Sequence, residues 1–118
     1  MINELIHDLL KDVETELFYI HKPDAYKVDP YITFNFVRRS DWYSDSSYEM
    51  DKYYITLNIV SKNSKNIIDL NDKISKIING NDLCFNCVNQ GGMYIKDTQE
   101  FFNATTFYML VPLEVIEK

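Results

Sequence analysis

Two stretches of this chain alternate with a period of two, and that alternation narrows the possible folds more than any other feature. In residues 31–38, Ile32, Phe34 and Phe36 fall on one side and Tyr31, Thr33 and Asn35 on the other. Residues 52–62 repeat the pattern, with Tyr53, Ile55, Leu57 and Ile59 opposed to Tyr54, Thr56 and Asn58. Successive side chains of a strand point to opposite faces, so each stretch reads as a strand with one buried and one polar face. Neighbouring strands of this kind pair most simply as an antiparallel hairpin. The connecting residues 40–51 form a polar loop.

Two segments have the other periodicity. Ile2, Leu5, Ile6, Leu9, Leu10, Val13 and Leu17 recur at the spacing of one buried helical stripe, which predicts a helix running to about residues 17–20. Lys22-Pro23 and Asp29-Pro30 then break the chain before the first long strand. Ile67, Leu70, Ile74, Ile77 and Ile78 mark a second helix, with Asn63 or Ser64 as its cap and Gly80 as a left-handed terminator.

The last third returns to strand. Leu83, Phe85 and Cys87 alternate with Cys84, Asn86 and Val88, Gly91-Gly92 makes a bend or bulge, and residues 93–96 form a short strand. Residues 103–115 form a long one, with Thr105, Phe107, Met109, Val111, Leu113 and Val115 on one face. Pro112 cannot donate to a ladder, which places this strand at an edge or at a bend. The expectation is a single α+β domain over residues 1–118: an antiparallel sheet of four to five strands with two helices on one face, in the order α-β-β-α-β-β.

With 118 residues, 46% hydrophobic, the chain is long enough to fold on its own core. Acidic groups number 18 against 12 Lys and Arg, a net charge of −6. Such a balance repels phosphate and argues against gripping nucleic acid. No run of apolar residues is long enough for a membrane span, and Met1-Ile2-Asn3-Glu4 lacks the basic start of a signal peptide.

No catalytic motif is present. Only three Gly occur, with neither a P-loop nor a dinucleotide fingerprint, and there is no nucleophile elbow. Cys84 and Cys87 form a C-x-x-C inside a strand pattern. There, residues three apart point to opposite faces about 10 Å apart, too far for a disulfide, so two reduced thiols are expected, one of them buried. Zinc needs four ligands, and His7 and His21 are the only other soft donors of the usual kind. His7 sits one position off the helical stripe, a helix-flank residue. The reading is of a protein that is not an enzyme and has no catalytic, cofactor-binding or metal-ligating residues.

Two polar-aromatic sets point to protein contacts instead. Residues 40–51 hold the only Trp, and Asp41, Trp42, Tyr43, Asp45 and Tyr48 are candidate interface residues, since Trp and Tyr are enriched where proteins meet. The alternative is that Trp42 folds back over one end of the core. The second set is the outer sheet face: Tyr31, Thr33, Asn35, Tyr54, Thr56 and Asn58, joined by Thr106 and Tyr108. A merely wet face usually carries more Lys and Glu, whereas Thr, Asn and Tyr can pack flat against another subunit. A solvated face is the alternative.

The amphipathic first helix leads to D-P-Y-I-T-F-N-F, an acidic-aromatic hairpin and Y-Y-I-T-L-N-I-V-S-K; I-I-D-L-N-D-K-I-S-K-I-I-N and a closing F-Y-M-L-V-P-L-E-V follow. In order, length and texture this resembles the tail terminator, or tail completion (tail-to-head joining), proteins of long-tailed phages and prophages. The resemblance implies a virion tail protein assembled in the bacterial cytoplasm. It implies a homo-oligomer, a hexameric ring at the head-proximal end of the tail, contacting the major tail tube protein and a head connector or head completion protein. The ring stops tube polymerisation and joins tail to head, and DNA passes through without specific binding. The family has no catalytic residues to carry over. Other readings are a different head-tail connector or small adaptor, and a small ligand-binding domain or enzyme with a pocket near Cys84, Cys87 or His21.

Overall fold

In a computed structural model of the chain, residues 2–24, 28–39 and 50–112 are described. The helices are α1 (Ile2–Leu9) and α2 (Ser64–Asn79), with a 3-10 turn at Lys11–Val13. The strands are β1 (Leu17–Tyr19), β2 (Tyr31–Arg39), β3 (Met50–Ser61), β4 (Cys84–Ile95) and β5 (Glu100–Pro112). They form one five-stranded sheet in the order β1-β2-β3-β5-β4, giving an α+β fold.

The two alternating stretches pair as the antiparallel hairpin their pattern predicts, Ile32 opposite Ile59 and Phe34 opposite Leu57. β3 continues antiparallel to β5, with Ile55 opposite Phe107 and Leu57 opposite Thr105. The apolar phase of these strands meets both helical stripes in one core. Ile6, Ile32, Phe34, Ile55, Leu57, Ile59, Ile74, Ile78 and Phe107 are fully buried in it. Each such side chain contributes about 1.5–3 kcal/mol relative to exposure, which makes this face the main source of stability. His7 on α1 meets Phe34 edge-on at 5.5 Å, while Thr105 on β5 donates to Asn71 Oδ1 on α2 at 3.0 Å. Both helices therefore lie on the same side.

The first helix is shorter than its stripe. α1 ends at Leu9, and Glu14, at φ 60, turns the chain out of the helical path. Leu10, Val13 and Leu17 still pack on the core, but Leu17–Tyr19 do so as β1, parallel to β2. The ladder wins because Phe18 and Tyr19 reach rings there. Phe18 lies 6.4 Å from Tyr31, and Tyr19 lies 5.6 Å from Phe34 and 5.2 Å from Phe36. The Ile32 N–H donates to Glu16 O at 3.0 Å and the Ile20 N–H to Phe34 O at 2.8 Å. The element order is therefore α-β-β-β-α-β-β, with one parallel pair.

α2 is capped as its sequence suggests. Asn63 Oδ1 accepts the Lys65 N–H at 2.9 Å, satisfying one orphan donor of the first turn. Its far end differs from expectation, because Gly80 is right-handed at φ −87. The turn is made by Asn81, whose side chain accepts the Leu83 N–H at 2.8 Å. Gly80 suits the site for its size, since a Cβ there meets Lys76 O at 3.2 Å.

Residues 84–95 form one strand with two irregularities, not two separate strands. The register slips between Phe85 and Val88, where Asn86 has φ 54, and again between Asn89 and Gly91, where Gly91 has φ 91. β5 is interior, between β3 and β4, so the edge placement drawn from Pro112 does not hold. Pro112 is its last residue, where a missing donor costs least. Leu113 and Val115 lie outside the described residues.

Candidate interaction surface

The register that buries Ile32, Leu57 and Phe107 turns their sequence neighbours to the opposite face, which no helix covers among the described residues. Tyr31, Thr33 and Asn35 on β2 stand there with Tyr54, Thr56 and Asn58 on β3, Thr33 opposite Asn58 and Asn35 opposite Thr56. β5 adds Thr106 and Tyr108, opposite Thr56 and Tyr54. All six sheet residues singled out from the sequence thus share one face. The loop candidates Asp41, Trp42, Tyr43, Asp45 and Tyr48 lie outside the described residues.

Polar side chains on this face bind one another. Asn58 Nδ2 donates to Thr33 Oγ1 at 3.3 Å, and Gln90 Nε2 donates to Thr106 Oγ1 at 3.2 Å. Thr33 and Thr106 are buried even though no helix lies over them. Thr33 sits in register between Phe18 on β1 and Asn58 on β3, and these larger neighbours shield it. A hydroxyl held this way has little left to offer water, so the centre of the face is drier than its composition suggests.

Towards the Arg39 end the face becomes aromatic. Tyr54 and Tyr108 are register partners with ring centroids 5.0 Å apart. Phe85 on β4 stacks on the other side of Tyr108 at 5.3 Å, nearly parallel at 18°. Arg39 lies over the Tyr54 ring at 5.6 Å and Lys52 over the Tyr108 ring at 4.9 Å, within the range where a ring face attracts a cation. Among the described residues of this face, no carboxylate stands between Thr33 and the Arg39 end. Glu100 closes the opposite end. There the Tyr31 hydroxyl is pushed above its usual pKa, first by burial and then by the negative charges of Glu100 and Asp29.

The α1 side of the molecule is the electrical opposite. Glu4, Asp8, Asp12, Glu14 and Glu16 are all exposed there, with Lys11 as the only Lys or Arg in the segment.

Phe85, Val37, Arg39 and Lys52 belong to the open face and were missed in the sequence reading. Val37, Arg39 and Lys52 were readable from the phase of residues 31–38 and 52–62. Phe85 was not, because the bulge reverses the alternation that assigned it to the Cys87 side. That bulge also corrects the cysteines. Two residues, Asn86 and Cys87, stand opposite one on β5, so Cys84 and Cys87 face the same way and both pack against the core. They are free thiols. Burial pushes the Cys84 thiol up to about 11, with neighbouring Cys87 adding to the shift. Burial also raises Cys87, opposed by a hydrogen bond with Ser75 on α2.

A cleft of about 720 Å³ opens between the 3-10 turn and residues 28–30. Its lining includes His7, Glu14, Glu16 and Asp29, not Cys84, Cys87 or His21. His7 Nδ1 is within hydrogen-bonding distance of Asn3 O, at 2.9 Å. Among the described residues, no three His, Cys, Asp or Glu side chains come together as a metal site, and no helix is long and apolar enough to cross a membrane.

No protein-family model matches this chain, and no curated protein matches it.

Proposed function

We propose that this protein is a structural assembly component that works by docking protein against its open sheet face, in the manner of a tail terminator of a long-tailed phage. In this reading copies of the chain close into a hexameric ring at the head-proximal end of the tail tube. The ring ends growth of the major tail tube protein and presents a surface to the head connector. DNA passes through the lumen, and the net charge of −6 per subunit keeps it from sticking.

The observation that carries the proposal is the ladder of Phe85, Tyr108 and Tyr54 with Arg39 and Lys52 above it, on a face left bare by both helices. Aromatic rings and Arg are enriched at the centres of protein interfaces. A cyclic ring also needs two different patches on each subunit. The cation-bearing open face and the acidic α1 side are two such patches, and they attract one another.

Light scattering coupled to size exclusion, with electron microscopy of the purified protein, tests the reading. Rings of six that cap isolated tail tubes are the expected result. A strict monomer at every concentration that also leaves tubes uncapped counts decisively against it.

A further inference from the structure

Among the described residues no strand pairs with the outer edge of β4, and this edge departs from the way proteins ordinarily protect the last strand of a sheet. Edge strands are usually blunted with charges, Pro or cover, because their unpaired N–H and C=O groups recruit other strands. Residues 83–95 contain no charged residue and no Pro, although a quarter of the chain is charged. Half of the exposed large hydrophobics also fall in this run: Leu83, Phe85, Val88, Met93 and Tyr94. The two bulges lie in its first part, and from Gly91 to Ile95 the strand is regular against β5.

Beside that regular stretch lies a groove of about 310 Å³ between β4 and the start of α2. Ile67, Ile68, Met93, Tyr94, Phe101 and Phe102 line it. Ile68 is 61% exposed on its α2 wall, while Tyr94 on its β4 wall is braced by the Phe101 ring at 5.0 Å. Gly92 keeps the backbone low here, since a Cβ on it meets Phe102 O at 3.3 Å. A strand edge with an apolar groove at its flank is the arrangement by which sheets capture extended peptides: backbone bonds give the docking, and the groove selects a side chain.

We propose that the Gly92–Ile95 edge of β4 binds an extended, uncharged segment of another protein as a sixth strand, with one large apolar side chain seated between Ile68 and Tyr94. The lining decides the chemistry of the occupant. Ser64 and the Tyr94 hydroxyl are the only polar side-chain groups in its lining, so the groove itself favours an apolar side chain over an ionised one. The site is on a different part of the molecule from the open-face ladder, and it does not depend on the ring reading.

The test uses the full chain labelled with nitrogen-15 and a blocked pentapeptide, Thr-Val-Leu-Val-Thr, beside a control with Lys in place of the central Leu. Saturable shifts of the Met93, Tyr94 and Ile95 amides are expected with the Leu peptide. Binding about tenfold weaker is expected for the Lys control and for I68E, a change at an exposed position that leaves the fold intact by circular dichroism. V37E, on the open face, leaves peptide binding unchanged while weakening ring assembly, so the two readings fail separately. Absence of shifts at millimolar peptide, shifts confined to Tyr54 and Tyr108, equal binding of the Lys control, or full binding by a folded I68E overturns the proposal. So do Met93, Tyr94 and Ile95 amides that shift on dilution of the protein alone, which marks the edge as taken by a second copy.

Discussion

Ser61 Oγ donates a hydrogen bond to Asp29 Oδ1 at 2.6 Å, joining the connector before β2 to the corner where β3 turns into α2. The other oxygen of Asp29 accepts the Lys62 N–H at 2.7 Å. Ser61 is fully buried, and its oxygen also accepts from the Asn63 N–H at 3.0 Å and from Asn66 Nδ2 at 3.2 Å. One hydroxyl thus links three segments. Ser61→Ala strands the Asn63 N–H and Asn66 Nδ2 donors and removes a donor from Asp29 Oδ1, and it is expected to cost about 1–3 kcal/mol. Urea denaturation checks this through a lower midpoint at unchanged slope; a midpoint equal to that of the parent protein rules it out.

Tyr108 is the hub of the open face, touching Tyr54, Phe85 and Lys52. Stacked or tilted ring pairs add about 0.5–1.5 kcal/mol each beyond their buried area. Tyr108→Ala is therefore expected to lower monomer stability by about 1–3 kcal/mol and to weaken assembly. Val37→Glu, at a position 55% exposed, should change stability by less than about 0.5 kcal/mol and still weaken assembly. Thermal melts compared with light-scattering masses separate the two effects.

Asn86 stands at φ 54, where a side chain other than Asn, Asp or Gly is strained. Asn86→Gly is expected to be neutral. Asn86→Val is expected to cost about 1–2 kcal/mol and to expose Cys87 as the bulge gives way. Thiol labelling with Ellman's reagent reads the second effect directly: faster labelling of the Val variant supports the role of the bulge, and equal rates refute it.

The two thiols also give the fold a pH dependence. The folded-state value of Cys84 lies above its ordinary value of 9.0, at about 11, so the folded chain holds that proton longer than the unfolded chain. Its contribution to stability is fully present below about pH 9 and is lost as the pH rises through about 11. Cys87 shifts in the same direction. Denaturation midpoints measured across that window should fall less steeply in Cys84→Ala, after allowance for its lower stability at neutral pH. Parallel slopes in the two proteins contradict the assignment.

Much of the architecture could be read before any coordinates, because β2, β3 and α2 have uninterrupted periodicities. Ile32, Phe34, Ile55 and Leu57 on one side, with Thr33, Asn35, Thr56 and Asn58 on the other, suffice to define the sheet and its open face. The end of α1 could not be read, because Leu10, Val13 and Leu17 stay in the core whether the chain continues as helix or turns into a strand. Only the rings of Phe34 and Phe36, distant in sequence, decide it. The faces of β4 were misassigned for a different reason. A single left-handed residue, Asn86, adds one to the count, and Val88 and Asn89 change sides relative to strict alternation until the second slip before Gly91 restores it. The same residue brought Phe85 to the aromatic ladder and Cys87 to the core.

Separating the five carboxylates around α1 from Arg39 and Lys52 on the far side of the sheet gives the subunit an electric dipole across its thickness. If subunits assemble as proposed, that dipole turns two of them head to tail in dilute salt before their surfaces touch. At physiological ionic strength the field reaches only about 8 Å. For the proposed ring, added salt is therefore expected to slow the meeting of subunits while leaving the closed contact itself less affected.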